Sequence, residues 1–218
     1  MTYVISDTHF NDDRTFPFDK EVIGKDMTKK DLDELQVQNW NSTVHPDDII
    51  YHLGDFGKFS DAEALKDFVA KLTGHKILML GNHDIELALD LCGITGYGDE
   101  NKAAHYQAQQ KIIQFWFDAG FSMVYAQPTF INKFMSVSHE PPQFVHVPFL
   151  RLFGHVHTSM LYRTITPAST CVCACRWGFT PVSLQRIKEL TTACRNNIME
   201  SNATGSMDYF PEDAVELV

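Results

Sequence analysis

The sequence has little positive charge. The 218 residues contain 18 Lys and Arg against 28 Asp and Glu, a formal net charge of −10. A generic nucleic-acid binder carries basic stripes that displace counterions from phosphates, so stable nucleic-acid binding is not expected. About half of the excess lies after residue 199, in acidic residues that face no Lys or Arg: Glu200, Asp208, Glu212, Asp213 and Glu216. The remaining chain is mildly acidic, which leaves room for a local basic pocket.

Long apolar runs are also absent. No stretch approaches the ~20 apolar residues of a transmembrane helix, so we expect no membrane contact. Residues 1–5 have no basic region and lead into polar residues, so we expect no signal peptide. The cysteines number five, and an odd count without an export signal argues against a disulfide framework. These features predict a cytoplasmic protein.

The apolar content is sufficient for a folded domain. It amounts to 44% of the residues and includes 16 Phe and 3 Trp. The length favours one domain, which we assign to residues 1–199. Residues 200–218 are interpreted as an acidic, flexible tail.

The first half of the chain alternates β-rich and helical patterns. Strands are predicted at residues 2–5, 48–53 and 76–80, and helices at residues 28–44 and 60–72, the second starting at a Ser60 cap. Near-continuous apolar strands joined by helices indicate a parallel sheet buried on both faces. The polar residues 10–27 predict a long loop.

The pattern changes after Gly120. A helix is predicted at residues 101–119. Strands are predicted at residues 121–126, 129–138, 149–153 and 170–176, and a last helix at residues 183–193. Cys171, Cys173 and Cys175 alternate with apolar residues, which predicts three buried thiols on one face of a strand rather than a zinc site.

Metal-ligand side chains follow five of the predicted strands. They are Asp7 and His9, then Asp55, then Asn82, His83 and Asp84, then His139, and finally His155 and His157. Ligands of open α/β sheets bind at the carboxyl ends of strands, so these distant segments are expected to share one cleft. In Asp7-x-His9 and His155-x-His157, a period of two aims both side chains the same way. Imidazoles with carboxylates suit a pair of divalent transition metals.

This ordered set of motifs resembles the calcineurin-like metallophosphoesterase superfamily. The motifs are Asp7-x-His9, Gly54-Asp55, Gly81-Asn82-His83-Asp84, His139 and Gly154-His155-x-His157. The similarity is greatest to small single-domain phosphoesterases of bacteria and phages, and it spans residues 2 to about 190. One motif alone has no weight, but all five in family order are specific.

The resemblance implies an α/β fold, a four-layer αββα sandwich, with two divalent metal ions (Mn, Fe, Zn or Ni). The first ion would be held by Asp7, His9, Asp55 and His157, and the second by Asp55, Asn82, His139 and His155. Asp55 would bridge them. The implied reaction is hydrolysis of a small phosphate ester by a hydroxide between the metals, without a covalent enzyme intermediate. Phosphodiesters are favoured over phosphomonoesters.

The remaining site residues have separate roles. In the family, His83 is not a ligand; it stabilises the transition state or protonates the leaving oxygen. Asp84 either orients His83 or caps a helix, and both alternatives are open. Arg14 and His146 are candidates for substrate binding, against a surface salt bridge and an ordinary loop position. His52 is expected to be buried beside the site.

Two other functions stay open. A non-catalytic scaffold of this fold typically loses ligands or the acid histidine, whereas every position is filled here. A nuclease acting on DNA or RNA in a repair complex needs a basic face and extra domains, and neither is visible in the sequence.

Overall fold

The computed structural model describes residues 1–23, 26–141 and 149–204. The strands are β1 (Thr2–Ile5), β2 (Ile49–His52), β3 (His75–Met79), β4 (Met123–Tyr125), β5 (Thr129–Asn132), β6 (Met135–Ser138), β7 (Leu150–Phe153), β8 (Ser169–Cys171) and β9 (Val182–Ser183). The α-helices are α1 (Phe16–Ile23), α2 (Lys29–Thr43), α3 (Ala62–Ala70), α4 (Asn82–Cys92), α5 (Lys102–Asp118) and α6 (Leu184–Thr204), and a 3-10 helix spans Ala174–Trp177.

The strands form two sheets. The first has the order β4-β3-β2-β1-β9, with β9 antiparallel to β1 and the other pairs parallel. The second has the order β5-β6-β7-β8, in which only the β5–β6 pair is antiparallel. Helices flank the two sheets, and α6 contacts strands of both. The α/β sandwich implied by the sequence is confirmed.

Alternation along β1 shows how the layers are built. Tyr3 and Ile5 belong to the apolar cluster that also contains buried residues of α2, α3, α4 and α5. Val4 belongs to a second cluster, which includes residues from β6 and β7 of the other sheet. Successive side chains of a strand point to opposite faces, so this strand is buried against helices on one side and a sheet on the other. The predicted sheet with two buried faces is confirmed.

The expected loop at residues 10–27 is wrong in part, because α1 occupies Phe16–Ile23. Pro17 lies in the first turn, where its missing N–H costs no helical hydrogen bond. Phe16 and Ile23 pack against the core, and Asp19 is buried. Tertiary burial stabilises this short helix, which lacks a clear periodic pattern.

Other helix and strand boundaries also differ from those predicted from the sequence. Helix α3 is capped by Asp61 rather than Ser60, since the Asp61 side chain accepts a hydrogen bond from the Ala64 N–H at 2.8 Å. Strand β8 ends at Cys171, so the three cysteines do not share one strand face, although all three are buried. Helix α6 continues to Thr204, past the predicted tail boundary.

No helix in residues 1–23, 26–141 and 149–204 has both the length and the apolar character that crossing a bilayer requires.

Candidate metal centre

The proposed ligands follow the carboxyl ends of strands in both sheets. Asp7 and His9 come after β1, Asp55 after β2 and Asn82 after β3, while His139 follows β6 and both His155 and His157 follow β7. The ends of β1 and β8 are tied together, because the Ser6 N–H donates to the Val172 carbonyl at 3.0 Å and the Ala174 N–H donates to the Ser6 carbonyl at 2.8 Å. This link brings the edges of the two sheets to one place.

The first cluster contains Asp7, His9 and His157. The Nε2 atoms of His9 and His157 are 3.2 Å apart. His157 Nε2 lies 3.6 Å from Asp7 Oδ1, and His9 Nε2 lies 3.8 Å from Asp55 Oδ2. These four side chains are the set that the resemblance implies for the first metal.

The second cluster contains Asp55, His139 and His155. The Nε2 atom of His139 is 3.0 Å from His155 Nδ1 and 3.1 Å from Asn82 Oδ1. The same nitrogen lies 3.4 Å from Asp55 Oδ2. One carboxylate oxygen of Asp55 therefore faces both clusters, which is the position of a bridging ligand.

These side chains fit divalent transition metals. With metal–ligand bonds of about 2.0–2.2 Å, ligand atoms around one ion stand about 2.9–3.6 Å apart, close to the separations above. Burial lowers the pKa of His9 to about 4, which keeps its imidazole in the neutral, ligating form. Burial opposes protonation of His139, but Asp55 and Asp7 outweigh it and raise its pKa to about 10. The carboxylates thus create a strongly negative site that favours a cation.

Backbone conformation marks the same residues. Seven non-glycine residues of the described chain have a positive φ, and five are proposed ligands: Asp7 (54°), His9 (44°), Asp55 (59°), His155 (71°) and His157 (45°). Such conformations are unfavourable for most residues and concentrate at functional sites. The expectation that extended backbone aligns Asp7 with His9 and His155 with His157 is therefore wrong. Left-handed turns after the strands orient these side chains.

Hydrogen bonds outside the clusters orient the ligands. Nδ1 of His139 is 2.8 Å from the Leu53 carbonyl, so Nδ1 donates its proton to that carbonyl and Nε2 is the nitrogen that faces the cluster. The Asp7 carboxylate accepts hydrogen bonds from the His155 N–H at 3.0 and 2.9 Å. His52 is fully buried beside the site, as predicted, with its Nε2 2.9 Å from the Thr8 hydroxyl.

Two glycines allow the backbone to approach the ligands closely. A Cβ at Gly81 would stand 2.2 Å from Asp55 Oδ1, and a Cβ at Gly154 would stand 2.4 Å from Asp7 Oδ2. Both distances are below van der Waals contact, so any side chain there displaces a ligand.

Gly81→Ala should therefore weaken metal binding and destabilise the fold by about 1–3 kcal/mol, the range typical of overpacking. Metal content after dialysis and denaturant unfolding measure the two effects. Gly93→Ala is the control for metal binding: Gly93 has open space around its Cβ position at the other end of α4, so its φ of 58° lowers stability while metal affinity is unchanged. Wild-type metal affinity in Gly81→Ala would contradict the need for close approach.

His83 lies beside the clusters and outside their ligand sets. Its Nδ1 is 3.1 Å from Glu86 Oε2 and 3.4 Å from Nη2 of Arg14. Its ring packs edge-on against His9, with centroids 5.3 Å apart. The described contacts of the ring nitrogens fall on Nδ1, so Nε2 is available to a substrate.

Asp84 does not contact the His83 ring. Its carboxylate accepts hydrogen bonds from the backbone N–H groups of Gly81 at 2.9 Å, Asp55 at 2.8 Å and Phe56 at 2.9 Å. Burial and the neighbouring charge of Asp55 raise its pKa to about 7. Of the two roles considered, the contacts match the helix cap, and they also tie the start of α4 to the loop that carries Asp55.

Arg14 and His146 are the two candidates for substrate binding. Arg14 lies at the site, where it forms a two-point ion pair with Asp12 at 2.9 and 2.8 Å and reaches His83. His146 falls at residues 142–148, outside the described residues.

Three carboxylates near the site were not identified from the sequence. Asp12 holds Arg14, and Glu86 contacts His83. The third, Asp19, groups with His157 and Cys175. Glu86 follows His83 by three residues, and in a helix this spacing places the two side chains next to each other. A prediction of helix α4 would therefore also have predicted their contact.

No protein-family model matches the chain. An uncharacterised protein of Methanocaldococcus jannaschii is 30% identical over 83 residues, which cover 38% of this chain and 46% of that protein. A protein of unknown function from Aquifex aeolicus is similar in structure, with a TM-score of 0.54 and 24% identity over 87% of this chain and 98% of that one. This similarity supports the fold alone. The nuclease MPE of Pseudomonas putida aligns over 72% of this chain and 60% of its own, at 19% identity and a TM-score of 0.34, too low to establish a shared fold.

Proposed function

We propose that the protein is a binuclear metal-dependent phosphoesterase that hydrolyses phosphodiesters or small phosphomonoesters, with diesters favoured. The clusters of His and Asp are compatible with a metal-dependent hydrolase. The observation that carries the proposal is the position of Asp55, whose Oδ2 lies 3.8 Å from His9 Nε2 and 3.4 Å from His139 Nε2. A shared carboxylate between two ligand sets is the arrangement that a pair of metals requires.

The residues divide between the two ions as the resemblance implies. Asp7, His9 and His157 would hold one ion, Asn82, His139 and His155 the other, and Asp55 both. When bound, such a pair activates water at neutral pH and neutralises the charge of a phosphate group.

His83 supplies the proton chemistry in this proposal. Contact of Nδ1 with Glu86 at 3.1 Å fixes the orientation of the ring. Nε2 then donates a proton to the leaving oxygen, or a hydrogen bond to the charge that develops on phosphorus. Arg14, at 3.4 Å from His83, adds positive charge at the same opening.

Asp84 is a positioning residue. Through the Asp55 and Gly81 N–H groups it connects the loop after β2 with the start of α4, which carries Asn82 and His83. The bridging ligand, a ligand of the second ion and the proton donor are thereby fixed relative to each other, and such preorganisation lowers the cost of reaching the transition state.

Removal of metal tests the proposal. Treatment with a chelator should abolish hydrolysis of bis(p-nitrophenyl) phosphate, and added Mn²⁺ or Ni²⁺ should restore it. A screen of p-nitrophenyl monoesters, diesters and cyclic nucleotides with Mn²⁺ identifies the preferred class, with p-nitrophenyl acetate as a control lacking phosphorus. Activity that survives chelation, or no turnover of any phosphate ester by metal-loaded protein, would contradict the proposal; the second result would favour a scaffold.

A further inference from the structure

Arg151 is a buried cation in the middle of β7. Its neighbours Leu150 and Leu152 face the apolar cluster between the sheets, so Arg151 points to the opposite face, beside its β6 partner Ser136. The residue is 8% exposed, and its buried Nε has no hydrogen-bond partner. In the described part of the chain, no carboxylate pairs with its guanidinium.

A buried N–H without an acceptor is costly, because the donor has left water without gaining a new partner. Such groups are rare in native proteins, and one reason to retain them is that a bound ion or ligand supplies the missing partner. The position of Arg151 therefore points to an anion that arrives with a ligand.

The cavity lined by Arg151 adjoins the second metal cluster. It has a volume of about 550 Å³, and Asn82 and His139 also line it. Apolar side chains form other parts of the wall, among them Met79, Ile85, Pro128 and Phe149. The acidic lining residue, Glu140, is exposed and makes no ion pair with Arg151. An organic group could therefore lie between the metal cluster and the guanidinium.

We propose that Arg151 binds a second anionic group of the substrate, a phosphate or a carboxylate, while the ester that reacts lies at the metal clusters. The substrate class is a phosphate ester whose organic part is apolar or aromatic and bears another anion, as in a nucleotide with two phosphates. Guanidinium forms paired hydrogen bonds with either anion. The inference rests on the proposed function, since it places the reacting ester at Asn82 and His139.

Three matched substrates test the inference with metal-loaded protein. They are thymidine 5′-(p-nitrophenyl phosphate), its 3′-phosphorylated form and its 3′-succinylated form. We expect wild-type kcat/KM to be about tenfold or more higher with a 3′-anion, as charge-assisted hydrogen bonds allow. The 3′-phosphate and 3′-succinate arms separate a phosphate site from a general anion site. In Arg151→Gln the ratio of kcat/KM with the 3′-anion to kcat/KM without it should fall close to one. Arg186→Gln, at an exposed arginine of α6, should keep the wild-type ratio.

Stability provides a readout that is independent of turnover. Arg151→Met removes a buried N–H that has no acceptor, so its unfolding midpoint should rise by a few degrees. Thymidine 3′,5′-bisphosphate should raise the midpoint of metal-loaded wild type and have a smaller effect on Arg151→Met. A lower midpoint for Arg151→Met without ligand would show that the guanidinium has a structural partner and would overturn the inference.

The outcomes separate this inference from the proposed function. Turnover without a preference for the 3′-anion overturns the role of Arg151 and leaves the phosphoesterase intact. If no substrate is turned over, the proposed phosphoesterase function is wrong, and the unfolding midpoint with thymidine 3′,5′-bisphosphate tests the anion site by itself. A larger rise in wild type than in Arg151→Met supports the anion site, and an equal rise in both overturns it.

Discussion

Asp55→Ala should release both metals and reduce phosphodiesterase activity to background. Its Oδ2 lies close to a histidine of each cluster, at 3.8 Å from His9 Nε2 and 3.4 Å from His139 Nε2. Its Oδ1 accepts a hydrogen bond from the His83 N–H at 3.0 Å, so the substitution also loosens the start of α4. Elemental analysis after dialysis should find roughly two ions per wild-type chain and nearly none in the variant.

A second substitution separates loss of charge from backbone strain. Asp55 has a φ of 59°, which asparagine tolerates better than alanine. Asp55→Asn keeps the shape and an acceptor but removes the charge, and it should also bind metal much more weakly. Asp47→Ala, at an exposed aspartate, should retain both ions. Full occupancy of one ion in Asp55→Ala would show that Asp55 belongs to one cluster and does not bridge.

His83→Ala should lower kcat by a factor on the order of 10²–10⁴, the range of general acid–base catalysis, while the metal content stays near two. The reason is geometric: the described contacts of the ring nitrogens fall on Nδ1, at Glu86 and Arg14. Under the proposed function Nε2 faces the substrate, and loss of the ring leaves the ligand sets complete. Steady-state kinetics and elemental analysis on the same preparation measure both quantities.

His75→Ala is the control for that experiment, because His75 is an exposed histidine at the start of β3. It should keep wild-type turnover and metal content. If His83→Ala loses an ion, His83 belongs among the ligands and its assigned role is incorrect. If its turnover is unchanged, another group protonates the leaving oxygen.

The clustering of these His and Asp side chains could be predicted because side-chain type and strand position are both visible in the sequence. Short apolar runs locate the strand ends, and the carboxyl ends of parallel strands share an edge. The orientation of the ligands could not be predicted in this way. Asp7 and His9 have left-handed backbone, which is uncommon even for the Asp and His residue types that adopt it more often than other non-glycine residues.

Features that depend on tertiary burial were also missed. Helix α1 is short and has Pro17 in its first turn, so local propensity does not predict it. The position of Asp19 beside His157 depends on that helix and is therefore not predicted either. Arg151 gave no signal either, since an arginine within a strand is ordinary until its burial and missing partner are known.

A crystal structure of the protein grown with Mn²⁺, with anomalous scattering used to locate the ions, decides whether the metal centre is binuclear. We expect two peaks about 3.5–4 Å apart, on either side of the Asp55 carboxylate. One peak should be surrounded by Asp7, His9 and His157, and the other by Asn82, His139 and His155. A single peak, or peaks remote from Asp55, would contradict the binuclear centre.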